Sequence, residues 1–376
     1  MIRNTILALC SLLAACGLVE CGLRATHAFN AHFAWTEPDP LIGFRSTPGR
    51  TSWSFGENDH PVAGRINAMG WRDRERTRDK PAGTIRIAVL GDSYVEAMQV
   101  EIDSTFVAVA ERSANARDSG RYEFMNFGRS GMGPAEEYIV LERDVLPCRP
   151  DVVVLLFTPH NDIADVNRFT SYTSRRPFFV ADVRDSLVLD TSFRSSAGYR
   201  LRELLNPLKQ KSALISLLSW RYNVWRAKPP SSQPQRVPTR LTSEQTLLTA
   251  HPDSLYAANY ALAKRAVIEM AKMCTRDGVA WVLASAPLVY EDHAIAALRS
   301  IDSTFDPNFF DRDLSAMADT CGFAFVRLTD GFQAESRRSG ERLHWAHWNY
   351  PGHRLVGLLL AARVLALDST SDGSSN

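Results

Sequence analysis

From Thr84 onward, short apolar runs alternate with longer segments in which apolar residues recur at helical spacing. The short runs have the length of single strands and lie at 85–90, 122–127, 151–157, 279–285 and 323–328. The third run, in DVVVLLFTPHND, is apolar on both alternating faces, which is typical of a central strand covered by helices. Strands that alternate with helices indicate βαβ units, so the pattern predicts an α/β fold around a mostly parallel five-stranded sheet.

The longer segments between these runs predict helices. Two helices are expected near 102–115 and 134–146. In YALAKRAVIEMAKMCTRDG, apolar residues follow helical spacing from Leu262 to Met273, and the final glycine marks the end of this amphipathic helix. The segment NYPGHRLVGLLLAARVLAL predicts a closing helix with Asn349 at its N-cap.

Residues 170–250 interrupt this alternation and are interpreted as an insertion. They contain a predicted hairpin, FFVADVRDSLVLD, then apolar helical pieces at 199–226, then the linker KPPSSQPQRVP. An insertion on this side of a sheet either covers a ligand site or is a surface elaboration without a role. The sequence leaves both interpretations open.

Two more regions flank the predicted domain at 84–367. Residues 26–83 carry turn signals and the charged run WRDRERTRDK without long apolar periodicity. This pattern predicts a stem that packs irregularly against the domain. Residues 368–376, DSTSDGSSN, have the composition of a disordered tail.

Residues 1–25 predict an export signal or a membrane anchor. The chain is apolar from Ile6 to Leu23 except at Glu20, and a stretch of 18 residues is at the short end of what spans a bilayer. The tetrapeptide LAAC, which ends at Cys16, resembles the lipobox of bacterial lipoproteins, whose cysteine is acylated after cleavage. An uncleaved transmembrane helix and a lipidated Cys16 are both open. Each places the rest of the chain outside the cytoplasm, in the periplasm or at the cell surface, tethered to a membrane.

Composition excludes one class of partner and restricts the cysteine chemistry. Lys plus Arg number 43 against 42 for Asp plus Glu, so the chain has no overall basic excess with which to hold nucleic acid or acidic lipid. Beyond the N-terminal segment only Cys148, Cys274 and Cys321 occur, and an odd number cannot all pair within the chain. We expect buried free thiols, with one disulfide as the alternative.

A serine stands where the first predicted strand ends. In TIRIAVLGDSYVEAMQV, Ser93 follows Gly91 and Asp92, and Glu96 lies three residues further on. A serine and a glutamate at this spacing form a capping box at a helix start, and a glycine permits a sharp turn. A purely structural role therefore accounts for this stretch taken alone, and a nucleophilic role needs support from elsewhere in the chain.

That support comes from the segments that follow the other strands. In an open parallel sheet, ligands collect beyond the carboxyl ends of the strands. NFGRSGMG follows the second strand, TPHND follows the third, and HWAHWNYPGH follows the fifth. Together with Ser93 they supply a hydroxyl nucleophile, an imidazole base, glycine N–H groups and an asparagine amide, which are the groups that acyl transfer requires.

These four segments resemble the sequence blocks of the SGNH (GDSL-type) superfamily of esterases and acyltransferases, over about 84–367. The upstream GRINAMGWRDRE and the variant GDSYVE look like a membrane-tethered bacterial subgroup. The resemblance implies a flavodoxin-like three-layer α/β/α sandwich with no metal and no organic cofactor. It also implies that Ser93 is the nucleophile, that His347 is the base, and that Gly131 and Asn161 donate N–H groups to the oxyanion.

One position departs from the family pattern. The family usually has an aspartate three residues before the base histidine, where this chain has His344. As a third triad member, a neutral His344 can accept a hydrogen bond from His347, but it brings no negative charge to stabilise the imidazolium. Glu341 or Asp330 substitutes for it from nearby in the sequence, or the chain works with a Ser-His dyad.

Two rival chemistries are disfavoured by the letters themselves. Ser130 in GRSGM misses the G-x-S-x-G nucleophile elbow because the fifth residue is Met132. His344, His347 and His353 occur without an H-E-x-x-H motif or a carboxylate at matching spacing, so we predict no metal site. His353 is expected to pack in the first turn of the closing helix.

The remaining polar and aromatic residues of these segments have expected supporting roles. Asp92 and Asp162 are expected to brace their loops through backbone hydrogen bonds. Trp345 and Trp348 are expected to fill space, with a pocket-lining role as the alternative. His160 stands where glycine is common in the family, so it either narrows the oxyanion pocket or contacts substrate.

Three functions follow as hypotheses. The first is a serine hydrolase that cleaves an acyl ester on a carbohydrate or lipid of the cell envelope. The second is a polysaccharide O-acetyltransferase that uses the same site. The third is a non-catalytic carbohydrate-binding or assembly protein, which the replacement of aspartate by His344 motivates. The sequence implies no oligomeric state.

Overall fold

The computed structural model describes residues 2–26, 36–55, 60–117, 121–181, 187–226, 240–344 and 347–372. Its strands are β1 (Thr36–Asp39), β2 (Gly43–Ser46), β3 (Thr51–Phe55), β4 (Pro61–Arg65), β5 (Ile85–Gly91), β6 (Tyr122–Gly128), β7 (Val152–Phe157), β8 (Phe178–Ala181), β9 (Leu187–Asp190), β10 (Ala280–Ser285) and β11 (Ala324–Arg327). Its α-helices are α1 (Ile2–Thr26), α2 (Ser93–Glu96), α3 (Phe106–Asn115), α4 (Pro134–Val140), α5 (Pro159–Asp165), α6 (Ala197–Lys211), α7 (Ala213–Arg226), α8 (Ser254–Arg276), α9 (Asp292–Ile301), α10 (Phe309–Cys321), α11 (Leu328–Ser339) and α12 (Tyr350–Asp372).

Five parallel strands form the central sheet in the order β11-β10-β7-β5-β6. Counted along the chain, this is the flavodoxin-like order 2-1-3-4-5. The chain runs from β5 to β6 on one side and then crosses back to β7 on the other side of β5. At such a change of direction, a crevice opens beyond the carboxyl ends of β5 and β7. The register brings Gly91 level with both Gly128 and Leu156, so three strands end at the same edge. The predicted fold class is confirmed.

Side chains on the two faces of the sheet belong to two separate cores. On β5, Ala88 and Leu90 face one core, in which α4, α8 and α10 cover the sheet. Ile87 and Val89 face the other core, which α3, α11 and α12 cover. From Ile87 to Leu90 the strand is apolar at every position because both of its faces are buried, which gives the three layers of the sandwich.

The predicted strands agree with the observed ones to within one or two residues at each end. Asn349 caps α12 as expected, since its side-chain oxygen accepts the Gly352 N–H at 3.0 Å. The sequence analysis did not anticipate α9, α10 and α11. In α11 only Leu328, Thr329 and Phe332 are buried, so the apolar period that would reveal this helix is too sparse.

The structure corrects the expectation of an irregular stem. Within the predicted 26–83 segment, β1 pairs with β2 and β3 pairs with β4 as antiparallel hairpins. Ile42 and Trp71 are buried in the same core as α4 and α8. The sequence did not reveal that this segment contributes to the core, because Trp71 is the only apolar residue of the charged run.

The tail and one cysteine also differ from expectation. Residues 368–372 continue α12 instead of being disordered, while 373–376 lie outside the described residues. Asp368 accepts a hydrogen bond from the Tyr122 hydroxyl at 2.8 Å and pairs with Arg121, which ties the end of the helix to β6. Cys148 and Cys274 are buried free thiols as expected, but Cys321 is exposed because it ends α10 at the surface.

The insertion contains the elements predicted for it. β8 and β9 form the antiparallel hairpin. The apolar helical pieces expected at 199–226 are the two helices α6 and α7, which are joined at Ser212. The predicted linker at 228–238 lies outside the described residues.

Candidate active site

Ser93 opens α2 directly beyond the end of β5. The N-cap of this short helix is Asp92, whose carboxylate accepts the Tyr94 N–H at 3.0 Å. Glu96 turns away from the cap and accepts the Ser130 N–H at 2.7 Å. The capping box with Ser93 as its cap is therefore wrong, because Asp92 takes that place. The Ser93 hydroxyl is left available for another partner.

That partner is His347, whose Nε2 lies 2.8 Å from Ser93 Oγ. The two residues are 254 positions apart in the chain. Burial lowers the pKa of His347, while the negative charge of Asp92 partly opposes the shift. The imidazole is consequently neutral at pH 7, and Nε2 is able to accept the serine proton.

The loop that carries His347 is fixed by its neighbour in sequence. The Trp348 ring is buried between three aromatic rings, with centroid distances of 5.0 Å to Tyr94, 5.6 Å to Phe106 and 5.7 Å to Phe332. The Tyr94 ring also contacts the His347 imidazole at 4.9 Å. Trp348 thus packs in the interior as expected and holds His347 beside Ser93. Trp345 lies outside the described residues.

The three candidates for a third triad member lie elsewhere. No described side chain accepts a hydrogen bond from Nδ1 of His347. Asp330 is exposed in the first turn of α11 and lies 3.7 Å from Arg327. Glu341 and His344 line a cleft of about 620 Å³ beside Phe332. Within the described residues, Ser93 and His347 form a hydrogen-bonded pair without a third side chain on Nδ1.

Asn161 is oriented by the carboxylate that caps α2. Its Nδ2 donates a hydrogen bond to Asp92, which is fully buried. Asp92 also accepts from the Thr158 hydroxyl at 3.2 Å, in addition to the Tyr94 N–H. One carboxylate therefore links the ends of β5 and β7, and it holds the Asn161 amide at the edge of the sheet where Ser93 lies.

Gly131 is held from both sides. The preceding residue, Ser130, donates both its N–H and its hydroxyl to Glu96 in the helix of the serine. The carbonyl of Gly131 accepts from Arg176, a buried residue of the insertion. Gly131 has φ +72°, a left-handed conformation that favours glycine, and an added Cβ would also displace the Tyr172 hydroxyl.

The expected donors to an oxyanion are unengaged in the structure. Neither the Ser93 N–H nor the Gly131 N–H donates a hydrogen bond to any described residue. Asn161 Nδ2 carries two hydrogens and gives one hydrogen bond to Asp92, which leaves the other available. These three N–H groups are therefore free to donate hydrogen bonds to the oxygen of a carbonyl group placed beside Ser93.

The position of α2 depends on a close approach to β6. An added Cβ at Gly128 would overlap the backbone of Val95 and Glu96, so the strand must carry glycine where the helix crosses it. Asn126 donates from its side chain to the Val95 carbonyl at 2.7 Å. At the same end of the helix, the buried Arg72 donates to the Glu96 carbonyl at 3.0 Å. The predicted stem thereby helps to place the serine.

A group of buried charges lies behind the Gly131 loop and α5. Glu136 pairs with Arg129 at 2.6 Å and with Arg176. Glu137, one residue later, has neither side-chain oxygen hydrogen-bonded to a described residue. Burial, together with the charges of Asp92 and Glu136, raises the pKa of Glu137 well above its usual value.

Asp162 next to Asn161 has a similar environment. It braces its loop as expected, since one oxygen accepts the Thr158 N–H at 2.7 Å. Its other oxygen has no partner among the described residues, and burial together with Glu137 raises the pKa of this carboxyl as well. Burial thus shifts both carboxyls toward the protonated form.

The other residues singled out by sequence have local partners. His353 is fully buried, accepts the Phe106 N–H at 3.3 Å, and has its pKa lowered to about 3 by burial. His160 is exposed, with Nδ1 2.7 Å from Glu244 near the end of the insertion. In the described part of the chain, no group of three or more metal-ligating side chains converges.

Sequence reasoning missed the residues that position this site from a distance. Glu96 was interpreted only as part of a capping box, and Arg72 and Arg176 were not singled out. A buried charged residue is recognised by its partner, which is an opposite charge or a backbone carbonyl. That partner is brought near only by folding, so no periodic pattern in the sequence reveals it.

Comparisons with known proteins find distant similarities. No family model matches the chain, and no curated protein matches it.

Solved structures do match the chain at low sequence identity. An acetylxylan esterase from Geobacillus stearothermophilus, solved as a catalytic mutant, is 12% identical, with 76% of this chain and 96% of that one covered and a TM-score of 0.40. A lipase/acylhydrolase from Enterococcus faecalis is 12% identical over 75% and 95% of the two chains, with a TM-score of 0.39. A member of the lipolytic G-D-S-L family from Veillonella parvula is 10% identical over 75% and 99%, with a TM-score of 0.38.

Proposed function

We propose that this chain is a serine ester hydrolase of the SGNH type, with Ser93 as nucleophile and His347 as base. The observation that carries the proposal is the 2.8 Å contact between Ser93 Oγ and His347 Nε2. Two residues so far apart in the chain meet at the edge of the sheet where the α/β fold collects ligands. The neutral imidazole and the unengaged N–H groups supply the remaining requirements of acyl transfer.

Acylation follows from this geometry. His347 Nε2 takes the proton from Ser93 Oγ as the oxygen attacks the ester carbonyl carbon, and the carbonyl π electrons move to oxygen. The N–H groups of Ser93 and Gly131 and the Asn161 amide stabilise that oxyanion. When the intermediate collapses, the C–O bond to the alcohol breaks, and the leaving oxygen takes the proton from His347.

Deacylation repeats these steps with water. His347 Nε2 takes a proton from water as its oxygen attacks the acyl-Ser93 carbonyl carbon, and the second tetrahedral intermediate again places its charge on the oxyanion donors. Collapse releases the carboxylic acid and returns the proton to Ser93. Because no carboxylate is hydrogen-bonded to His347 among the described residues, the imidazolium formed in each half-reaction is stabilised less than in a full triad.

The substrate proposed is a short acyl ester on a carbohydrate or lipid of the cell envelope. α1 is long and apolar enough to cross a membrane and has no buried residue, as expected of an anchor or an export signal. An extracytoplasmic enzyme held at a membrane meets envelope glycans and lipids as its nearest esters. Lipidation of Cys16 would give the same placement.

A fluorophosphonate probe tests the nucleophile directly. The full chain is expected to label with one probe, and Ser93→Ala is expected to abolish labelling. Ser130→Ala is the matched control, because the Ser130 hydroxyl donates to Glu96 and has no base beside it. Loss of labelling in Ser130→Ala with retention in Ser93→Ala would contradict the assignment.

Failure of the wild-type chain to label would favour the third hypothesis, a non-catalytic binding or assembly protein. If labelling succeeds, product analysis on aryl acetates separates hydrolysis from transfer. Free acetate in water, unchanged when a polysaccharide is added, supports the hydrolase. Acetylated polysaccharide would instead identify an O-acetyltransferase.

A further inference from the structure

Helix α6 turns its leucines away from the protein. Leu201, Leu204, Leu205 and Leu208 recur at helical spacing and form one stripe, and all four are exposed, with Leu204 73% accessible. A helix on the surface of a water-soluble domain buries such a stripe. Here the orientation is reversed, so the outward face of α6 needs an apolar environment.

The opposite, polar face of α6 is the one that packs on the protein. Arg202 donates to the Thr36 hydroxyl at 3.2 Å, and its guanidinium lies 5.3 Å from the Phe44 ring. Gln210 donates to the Thr47 hydroxyl at 3.3 Å and accepts from Arg50 at 3.0 Å. These contacts with the β1–β2 hairpin and its neighbours fix the helix with its leucines outward.

Helix α7 continues the same pattern. Ile215, Leu218, Tyr222 and Trp225 recur at helical spacing and are exposed, with Trp225 80% accessible. We call the outward residues of the two helices the interfacial face. It consists of Leu201, Leu204, Leu205, Leu208, Ile215, Leu218, Tyr222 and Trp225. Large apolar side chains exposed in such number mark a site of interaction with a protein or a membrane.

The corner between the two helices is bound to the end of α1. The Glu20 carboxylate accepts the N–H groups of Ala213 at 3.0 Å and Leu214 at 2.8 Å and the Ser212 hydroxyl at 2.8 Å, so it caps the start of α7. Arg24 donates to the Lys211 carbonyl. If α1 crosses a bilayer, the surface of that bilayer is at this end of the helix. A chain cleaved and lipidated at Cys16 keeps residues 17–26 at the same place.

Charge and aromatic residues also favour a lipid surface over a protein surface. Residues 197–226 contain six basic residues and one acidic residue, although the chain as a whole is balanced; of the six, Arg202 lies on the face that packs on the protein. Basic side chains beside an apolar stripe suit the anionic headgroup region, and tyrosine and tryptophan are enriched there. A second copy of the chain would bring the same positive charge against itself.

We propose that α6 and α7 lie in the headgroup region of an anionic lipid bilayer beside α1, with the interfacial face toward the acyl chains. This proposal rests on the membrane placement of α1 in the proposed function. One membrane-crossing helix fixes a single point of the domain, whereas a second contact through α6 and α7 fixes its orientation. The insertion thus has a role other than that of a lid or an elaboration without function.

Tryptophan quenching in vesicles tests the contact. The full-length chain is reconstituted in phosphatidylcholine–phosphatidylglycerol vesicles in which the acyl chains of the phosphatidylcholine are brominated. We expect these lipids to quench part of the emission, and Trp225→Phe to lose that quenched part. Trp281→Phe is the control, because Trp281 is buried in the protein core, and it is expected to keep the quenched part.

A charge variant tests the face independently of Trp225. Leu204→Glu combined with Leu208→Glu is expected to reduce the quenching of Trp225, because two carboxylates repel anionic headgroups and resist burial in acyl chains. Both leucines are exposed, so their replacement leaves the core intact. Leu255→Glu, at an exposed leucine at the start of α8, is the matched control and is expected to leave the quenching unchanged.

The outcomes separate the anchor from the interfacial contact. A chain that does not co-float with vesicles would overturn both the membrane placement and this proposal, whatever its esterase activity. Co-flotation with no Trp225 quenching would overturn the interfacial contact alone. Dimers in detergent that dissociate in the Leu204/Leu208 double variant, with Trp225 unquenched, would show that the face instead binds a second copy.

Discussion

Replacing Asn161 with alanine perturbs two things at once. Its amide is the proposed side-chain donor to the oxyanion, and the same amide donates to the fully buried Asp92. Asn161→Ala therefore removes stabilisation of the transition state, and it also leaves one oxygen of Asp92 without its donor. The two effects are measured separately, as turnover and as stability.

The magnitudes follow from these contacts. Loss of one oxyanion donor lowers kcat by about 10²–10³-fold, which corresponds to roughly 2.7–4 kcal/mol of transition-state stabilisation. An unsatisfied buried acceptor costs about 1–3 kcal/mol of folding free energy. We expect a folded but destabilised variant that retains about 0.1–1% of wild-type turnover on aryl acetates.

Thr158→Val separates the two effects. The Thr158 hydroxyl also donates to Asp92, at 3.2 Å, but it is not a proposed oxyanion donor. Valine keeps the shape, and the Asp92 oxygen that accepts from Thr158 also accepts the Tyr94 N–H, so this variant should lose less stability than Asn161→Ala in urea denaturation and keep most of the turnover. Equal loss of turnover in both variants would refute the oxyanion role of Asn161. A loss of less than about tenfold in a folded Asn161→Ala would refute it as well.

Three more outcomes test the electrostatics of the site. Because burial lowers the pKa of His347, the acid limb of kcat/KM should fall with a midpoint below 6.5, where the imidazole becomes protonated; a midpoint at or above 6.5 would contradict this. Glu137 has its pKa raised in the folded state, so it stabilises the fold at low pH and loses that contribution as pH rises above its unfolded value. Glu137→Gln should therefore raise the free energy of unfolding at pH 8 and flatten its dependence on pH, and calorimetry that finds a lower Tm would count against it. Glu136→Gln, the neighbouring control, should lower the free energy of unfolding by on the order of 3 kcal/mol, because Arg129 loses its buried partner and Arg176 keeps only Asp165.

Much of the fold could be predicted because its signals are local. The central strands are apolar on both faces, and the closing helix begins at Asn349 with a recognisable cap. The motifs around Ser93, Gly131, Asn161 and His347 come after the first, second, third and fifth strands of the sheet, whose topology brings them to one edge. The polar helix α11 carries no such period and was missed.

The support of the site could not be predicted, because each contact joins residues whose proximity depends on folding. The sequence indicates a glutamate three residues after Ser93, but only packing shows that Glu96 binds Ser130 and leaves the cap to Asp92. Nor does the spacing of charges show that Arg176, in the insertion, holds the Gly131 carbonyl.

The sequence by itself determined the α/β class, the apolar N-terminal segment and the set of chemical groups, because helical and strand periods and short motifs are properties of neighbouring residues. The tertiary structure decided which groups meet. It brought Ser93 to His347 across 254 positions. It also left no described carboxylate on that histidine and turned the leucines of α6 outward. These outcomes depend on packing between residues that are distant in the sequence. When one face of a helix or strand is buried, that packing also fixes which residues its other face contacts.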